Sequence, residues 1–465
     1  MKKSARERLI AMSMASVMAF GLAGCGSSST GATAATSAAA AATSAAAATS
    51  VAAAATSEAA AAASTAAAAA SGDKVKLSFY IWSDEENYIT KVVDAYNASQ
   101  DKVEVDLNSV ASDDYDDKLK VMLAGDTSVD LVDIRGVAQM TTYANQGSLL
   151  DITDKISGSK LDTSKYGDMW KTSDVDGKYF ALPTRTTCWA LFYNSDLLKE
   201  AGVDAPGQMT WEEYVDYSQK VQDGLKGKTA ADGTAIKAGY WVPWIYHFYS
   251  VQHGVYVDDK DTQYLKKSLE LLNTLFTNGT HYSYADVSSG TYDYMSEFEN
   301  GHTALLPNGE WCVNMLMNAA ASGQTSVNWE VAPMPVPEGV EDGTSWGQFQ
   351  YAAITSGCQH PEEAFDFLSY LCGSEGAAIY ASTGMIHAYS SEDAKDALVK
   401  ASGKESVHYL FDAKKVQEQP NTNGYDEFVN AYKENAELYF LGEEDIDKCM
   451  SDFTAQADEL RAKAQ

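Results

Sequence analysis

Indole and phenol rings offer apolar faces on which a sugar ring can lie, while carboxylates, amides and guanidinium forks bind its hydroxyls. A stretch that mixes Trp or Tyr with Asp, Glu or Arg is therefore a candidate carbohydrate contact. Three such stretches stand out. Trp82 is followed by Ser83-Asp84-Glu85-Glu86, Asp133-Ile134-Arg135 is followed by Gln139, and Gly239–Tyr249 holds the densest aromatic run, with Trp241 and Trp244. Each has a plainer reading beside it. Asp84 and Glu86 equally suit a helix N-terminus, Arg135 can pair with Asp133 as mere structure, and helical spacing would put Trp241, Trp244 and Phe248 on one core-facing stripe.

Motifs for other chemistry fail. Gly227-Lys228-Thr229 resembles the end of a phosphate-binding loop, yet Gln222 stands at the first glycine position. Asp174-Val175-Asp176-Gly177 mimics part of a calcium loop, but Pro183 occupies the place of its bidentate Glu. Neither HExxH nor GxSxG occurs. No cofactor, metal ligand or catalytic residue is expected, and the protein is read as a non-enzyme.

The residues that could bind are positioned by alternating elements. Val75–Trp82, Val103–Val110 and Val129–Ile134 read as strands, with amphipathic helices near Glu86–Ala98 and Asp113–Ala124 between them. That alternation predicts an α/β fold built on a parallel sheet. It places Trp82–Glu86 and Asp133–Arg135 at strand carboxyl ends, where such sheets gather ligands. Asp176-Gly177 predicts a hairpin turn, and Thr210 with Glu213 predicts a capping box.

The chain has 465 residues with 34 basic and 65 acidic side chains, a net charge of −31. No basic stripe interrupts that charge, so nucleic acid is excluded as a partner. The six Cys (Cys25, Cys188, Cys312, Cys358, Cys372, Cys449) form no C-x-x-C pair, which argues against a disulfide scaffold or a structural zinc.

Residues 1–25 carry Lys2, Lys3, Arg6 and Arg8, then an apolar stretch from Leu9 to Ala23, the plan of a secretory signal peptide. The apolar stretch is too short to span a bilayer, which takes about 20 residues. Leu22-Ala23-Gly24-Cys25 resembles the lipobox of bacterial lipoproteins, which implies acylation of Cys25 and a lipid anchor on the outer face of the cytoplasmic membrane. Residues 26–72 contain 26 Ala, the rest being mostly Ser and Thr, and cannot build a core. They read as a spacer of about 40 Å if coiled and about 70 Å if helical. The remaining residues 73–465 bear 30 basic against 63 acidic groups, −33.

Tyr193-Asn194-x-Asp196-Leu197-Leu198-x-x-Ala201-Gly202 precedes Thr210-Trp211-Glu212-Glu213. Phe298-x-x-Gly301-His302-Thr303-Ala304-Leu305-x-x-x-Gly309-Glu310-Trp311 follows, then Pro333-Met334-Pro335 and Pro361-Glu362-Glu363-Ala364-Phe365-Asp366-Phe367-Leu368. In this order the pieces resemble the family 1 extracellular solute-binding proteins, the maltose-binding-protein-like receptors that serve ABC importers. The chain departs from that pattern at His302, where Lys is usual, and at Gly384-Met385-Ile386-His387, which lacks a Pro at its fourth position.

The resemblance implies a two-lobed periplasmic-binding-protein-like fold that closes on its ligand. Lobe 1 is expected over about 73–185 plus 334–375, and lobe 2 over about 186–332 plus 376–465. Crossings are expected near Pro183–Thr187, Ala332–Pro335 and Gly373–Tyr380. Arg185 and Trp189 flank the first crossing and are candidate cleft residues. Glu310 and Trp311 stand where related receptors place an aromatic on sugar, and Tyr425 is a candidate from the lid side. The implied function is a lipid-anchored, monomeric receptor that delivers a carbohydrate, an oligosaccharide by expectation, to ABC permease subunits. A secreted glycosidase and a receptor for a cationic solute such as a polyamine stay open beside it.

Overall fold

Strand β1 (Val75–Trp82) buries Leu77, Phe79 and Ile81 on one face, the period-two pattern of a sheet with a core beneath it. The structure, a computed structural model, describes residues 74–125, 129–422 and 424–463. Cys25, the leader and the spacer lie outside the described residues.

Ten further strands follow: β2 (Val103–Val110), β3 (Leu131–Ile134), β4 (Ala181–Thr186), β5 (Trp189–Asn194), β6 (Lys237–Gly239), β7 (Thr303–Gly309), β8 (Trp329–Ala332), β9 (Thr344–Gly347), β10 (Phe349–Ile354) and β11 (Lys414–Gln417). The first lobe is built on a sheet of order β2-β1-β3-β10-β4, the second on β6-β7-β5-β8, and β11 pairs with β9 alone. β1 runs parallel to β2 and β3, as the alternation predicts, whereas β10 is antiparallel to β3 and β4.

Both faces of the first sheet are covered. Ile89, Val92, Phe367 and Leu371 pack on one side, and Tyr115, Leu119 and Met140 on the other. The second lobe has its own core, into which the helix Gln263–Thr277 sends Leu265, Leu269, Leu272 and Phe276, the spacing of an amphipathic stripe.

Local signals in the sequence are realised. Thr210 and Glu213 form the reciprocal capping box that opens the helix Trp211–Gly224. Asp176 and Gly177 both take positive φ, 54° and 79°, while Val175 and Lys178 exchange backbone hydrogen bonds of 2.9 and 3.1 Å. This is the primed turn that a two-residue hairpin needs.

The helical spacing read into Trp241, Trp244 and Phe248 is not realised. Pro243 cannot continue a helix, and the helix begins only at Phe248 (Phe248–Gln252). Trp241 is buried in the second core with its indole N–H donated to the Ile245 carbonyl at 2.8 Å, and Trp244 is 39% exposed.

The chain passes from the first lobe to the second at Thr187-Cys188, between β4 and β5, and returns at Gln348, between β9 and β10. These two crossings are laced together. Thr187 N–H donates to the Gln348 carbonyl at 2.9 Å, and Gln348 N–H donates to Thr187 Oγ1 at 2.7 Å. Space there is tight, since a Cβ on Gly347 would lie 2.0 Å from the Thr187 carbonyl oxygen. The helix Ser374–Ser382 also spans the junction, with Tyr380 in the first core and Ala377 and Ala381 in the second. Among the described residues five cysteines are unpaired thiols: Cys188, Cys312, Cys372 and Cys449 are buried and Cys358 is half-buried. No helix there is long and apolar enough to cross a membrane.

Candidate functional site

Strand direction decides which side chains converge. The carboxyl ends of β1, β3 and β4 and the start of β10 meet at one sheet edge, which brings Trp82, Arg135, Arg185 and Gln350 together. In the second lobe Trp189 pairs with Gly309 at the opposing edge, and the chain turns there into the helix Trp311–Ser322. These edges enclose a cleft of about 600 Å³, lined also by Asp84, Glu85, Trp244, Tyr294, Asn314, Met315, Gln348 and Glu418. A second hollow of about 610 Å³ adjoins it through Arg135 and Gln348 and adds Asp116, Gln139, Gln146, Gln419 and Tyr425. The first half is aromatic and the second is rich in amides.

Trp311 is half-buried and stands edge-on to Trp189, with centroids 5.6 Å apart at 86°. Trp189 in turn stacks on Trp346 at 5.3 Å. The indole of Trp311 needs Gly309, since a Cβ there would fall 1.9 Å from its ring. Trp244 and Tyr294 pack edge to face at 5.5 Å at the other side of the aromatic half.

The floor of the cleft is ionic. Arg185 donates from Nε and Nη2 to Glu310 Oε1 at 2.9 and 2.7 Å and from Nη1 to Gln350 Oε1 at 3.3 Å, and it lies 3.6 Å from Glu85. Burial opposes its charge, but Glu310, Tyr88 and Glu85 outweigh that, and its pKa stands above the usual value. Glu310 is fully buried and also accepts the Cys188 N–H at 3.0 Å. This ion pair joins β4 of the first lobe to the end of β7 in the second.

Behind it lies Asp133. Desolvation, then the neighbouring charge of Glu85, raise its pKa well above the carboxylate range. Asp133 Oδ2 and Glu85 Oε2 have no donor between them, so a proton retained on Asp133 satisfies both. Arg135 stacks 4.3 Å over Trp82, is paired with Asp116 at 3.2 Å, and donates to the Ser112 carbonyl at 2.9 Å.

Of the residues singled out from sequence, Trp82, Asp84, Arg135, Arg185, Trp189, Trp244 and Trp311 line the aromatic half, and Tyr425 the adjoining hollow. Asp133 and Glu310 sit beneath the floor rather than on it. Glu86 is exposed at the start of the helix Glu86–Ser99 and Trp241 is in the core, and neither borders the cleft.

Glu418, Gln348, Tyr294, Asn314 and Met315 border it although no sequence pattern points to them. Glu418 follows β11 and is fixed by its backbone N–H, which donates to the Gly347 carbonyl at 2.8 Å. Its surroundings in sequence, Gln417-Glu418-Gln419-Pro420, carry no motif. Only the pairing of β11 with β9, some 70 residues earlier, brings it to the cleft. Burial raises its pKa to about 7, with the Trp189 indole offsetting part of the rise and Glu310 adding to it.

Residues 91–404 match the profile of a family described as bacterial extracellular solute-binding protein. Among known proteins the chain is 24% identical over 213 residues to an arabinooligosaccharide-binding protein of Halalkalibacterium halodurans, covering 43% of this chain and 45% of that one. It is 25% identical to a probable ABC transporter-binding protein of Deinococcus radiodurans, covering 49% and 55%. The matches thus span about half the length of these relatives. Among solved structures, a sugar transporter of Rhizobium etli in an open conformation aligns with a TM-score of 0.73 and 26% identity over 83% of this chain and 99% of that one. A substrate-binding protein of Listeria monocytogenes in complex with cycloalternan aligns with a TM-score of 0.70 and 19% identity over 84% and 100%, a likeness of fold.

Proposed function

We propose, from the premise that this chain belongs to the bacterial extracellular solute-binding proteins, that it captures an oligosaccharide between its lobes and delivers it to an ABC permease. The family is one of binding proteins rather than enzymes. The observation that carries the reading is the cleft itself, where half-exposed indoles of Trp244 and Trp311 stand across from fixed polar groups. Apolar faces beside convergent hydrogen-bonding groups are what a pyranose ring requires. Relatives described as binding arabinooligosaccharides and galactooligosaccharides support the ligand class.

The reading is tested by thermal shift against arabino-, galacto-, manno- and maltooligosaccharides. A ligand at 100 times its Kd stabilises by about 2.7 kcal/mol, so a true ligand raises the melting temperature by several degrees. No shift with any of them counts against carbohydrate capture.

The Leu22–Cys25 motif supports attachment to the outer face of the membrane through acylated Cys25, with the Ala-rich spacer holding the lobes clear of lipid. Cys25→Ser should release the protein from the membrane fraction, and a variant that still partitions with membranes would contradict the anchor.

A further inference from the structure

We propose that Glu418 sets the specificity of the cleft for a ligand bearing a protonated amine, so that the captured carbohydrate is an amino sugar. This rests on the carbohydrate reading above and narrows it. Both guanidinium groups of the cleft are already matched. Arg185 is held by Glu310 at 2.7 and 2.9 Å with Glu85 at 3.6 Å, and Arg135 by Asp116 at 3.2 Å. Neither is left over for a carboxylate or phosphate on the ligand.

Glu418 is the reverse case. It is 8% exposed, it borders the aromatic half of the cleft, and among the described residues no Lys, Arg or His pairs with it. The charged group that acts on it is Glu310, of its own sign. Its backbone N–H bond to the Gly347 carbonyl, 2.8 Å, continues the β9–β11 pairing and holds the residue at the cleft wall. A carboxylate buried without a cation is costly unless a partner arrives. The shift of its pKa to about 7 records that cost.

A neutral sugar hydroxyl gives Glu418 one hydrogen bond and leaves its charge unmatched. An ammonium group gives it a charge-assisted bond, roughly twice as strong, and the half-buried indole of Trp311 in the same cleft offers a cation–π contact. The titratable groups that face Glu418 are Glu310 after β7 and Tyr425 on the helix Tyr425–Phe440. Arg185, which shares the cleft, is bound to Glu310. Nothing in this set supplies the missing positive charge.

The test compares matched pairs that differ in one group: glucosamine with glucose, galactosamine with galactose, mannosamine with mannose, and the glucosamine trimer with cellotriose. Titration calorimetry on the full chain should give at least one amine that binds about tenfold or more tighter than its hydroxyl twin. Glu418→Gln should bring that ratio close to one, by weakening the amine more than its hydroxyl twin. Should the variant not fold, wild type alone decides. Amine affinity should rise as pH goes from about 5.5 to about 7, with a proton released on binding, as Glu418 gives up its proton to meet the cation. Hydroxyl sugars that bind as well as or better than their amine twins overturn the inference and leave carbohydrate capture standing. The inference is equally overturned, and carbohydrate capture kept, if no pair binds while the oligosaccharide screen finds a neutral ligand. Failure of both removes the inference and the carbohydrate reading together.

Discussion

Trp241 and Trp244 stand three positions apart with opposite surroundings, because Pro243 turns the chain between them. Trp241 fills the second core and donates its indole N–H, while Trp244 faces the cleft against Tyr294. Trp244→Ala should therefore weaken ligand binding by about 1–2 kcal/mol, roughly one order of magnitude in Kd, with little change in melting temperature. Trp241→Ala should cost about 3–5 kcal/mol of stability. Calorimetry and thermal melts on both variants check the split, and equal losses of affinity would undo it.

Glu418 makes a second residue-scale prediction. Its folded pKa of about 7 lies above the ordinary value near 4.3. Its contribution to stability is therefore complete below about pH 4.3 and is lost as pH rises through about 7. Glu418→Gln removes that loss, so its melting temperature should gain on wild type as pH goes from about 5 to about 8. A difference that stays flat with pH would mean that Glu418 ionises freely. Trp82, Arg135 and Arg185 could be singled out from sequence because they end strands or flank a recognisable stretch. Glu418 could not, because its position comes from a strand pairing between distant segments.

At the scale of elements, two glycines set distances that side chains would spoil. Gly309 gives Trp311 its place and Gly347 lets β9 pass the Thr187 carbonyl. Gly347→Ala should destabilise by about 1–3 kcal/mol through overpacking against backbone that cannot yield, whereas Gly357→Ala, with only Thr355 Oγ1 at 3.9 Å, should be nearly silent. Denaturant melts of the two variants check this, and equal effects would mean that the crossing has slack.

The β1–helix–β2–helix–β3 run, the capping box at Thr210 and the turn at Asp176-Gly177 were legible because each is written in neighbouring residues. The insertion of β10 between β3 and β4 and the mixed sheet of the second lobe were not. Antiparallel insertion depends on partners more than 150 residues away, which no local period records.

For the whole molecule, the ion pair between Arg185 and Glu310 and the bond from Asn87 to Asn314 at 3.5 Å tie the two lobes at the cleft floor. Between them lie hollows wide enough for a ligand. Ligand held from both sides should draw the lobes together, so small-angle scattering should give a smaller radius of gyration with saturating ligand than without. An unchanged radius would describe a rigid binder. The two-lobed plan was visible through the order of the Tyr193–Glu213 and Phe298–Trp311 stretches, while the ionic floor beneath the cleft was not, since Glu85, Asp133, Arg185 and Glu310 are brought together only by folding.

The thiols of this fold bear on where it can work. Burial raises the pKa of Cys188, Cys312, Cys358, Cys372 and Cys449, which keeps the thiolate, the species that attacks a disulfide, scarce. Among the described residues the five cysteines are free thiols, so no disulfide there can be broken by a reductant. The lobes should melt at the same temperature with and without dithiothreitol, and a drop on reduction would reveal a bond that packing does not require. A fold built this way should keep its shape across oxygenated and oxygen-free surroundings alike.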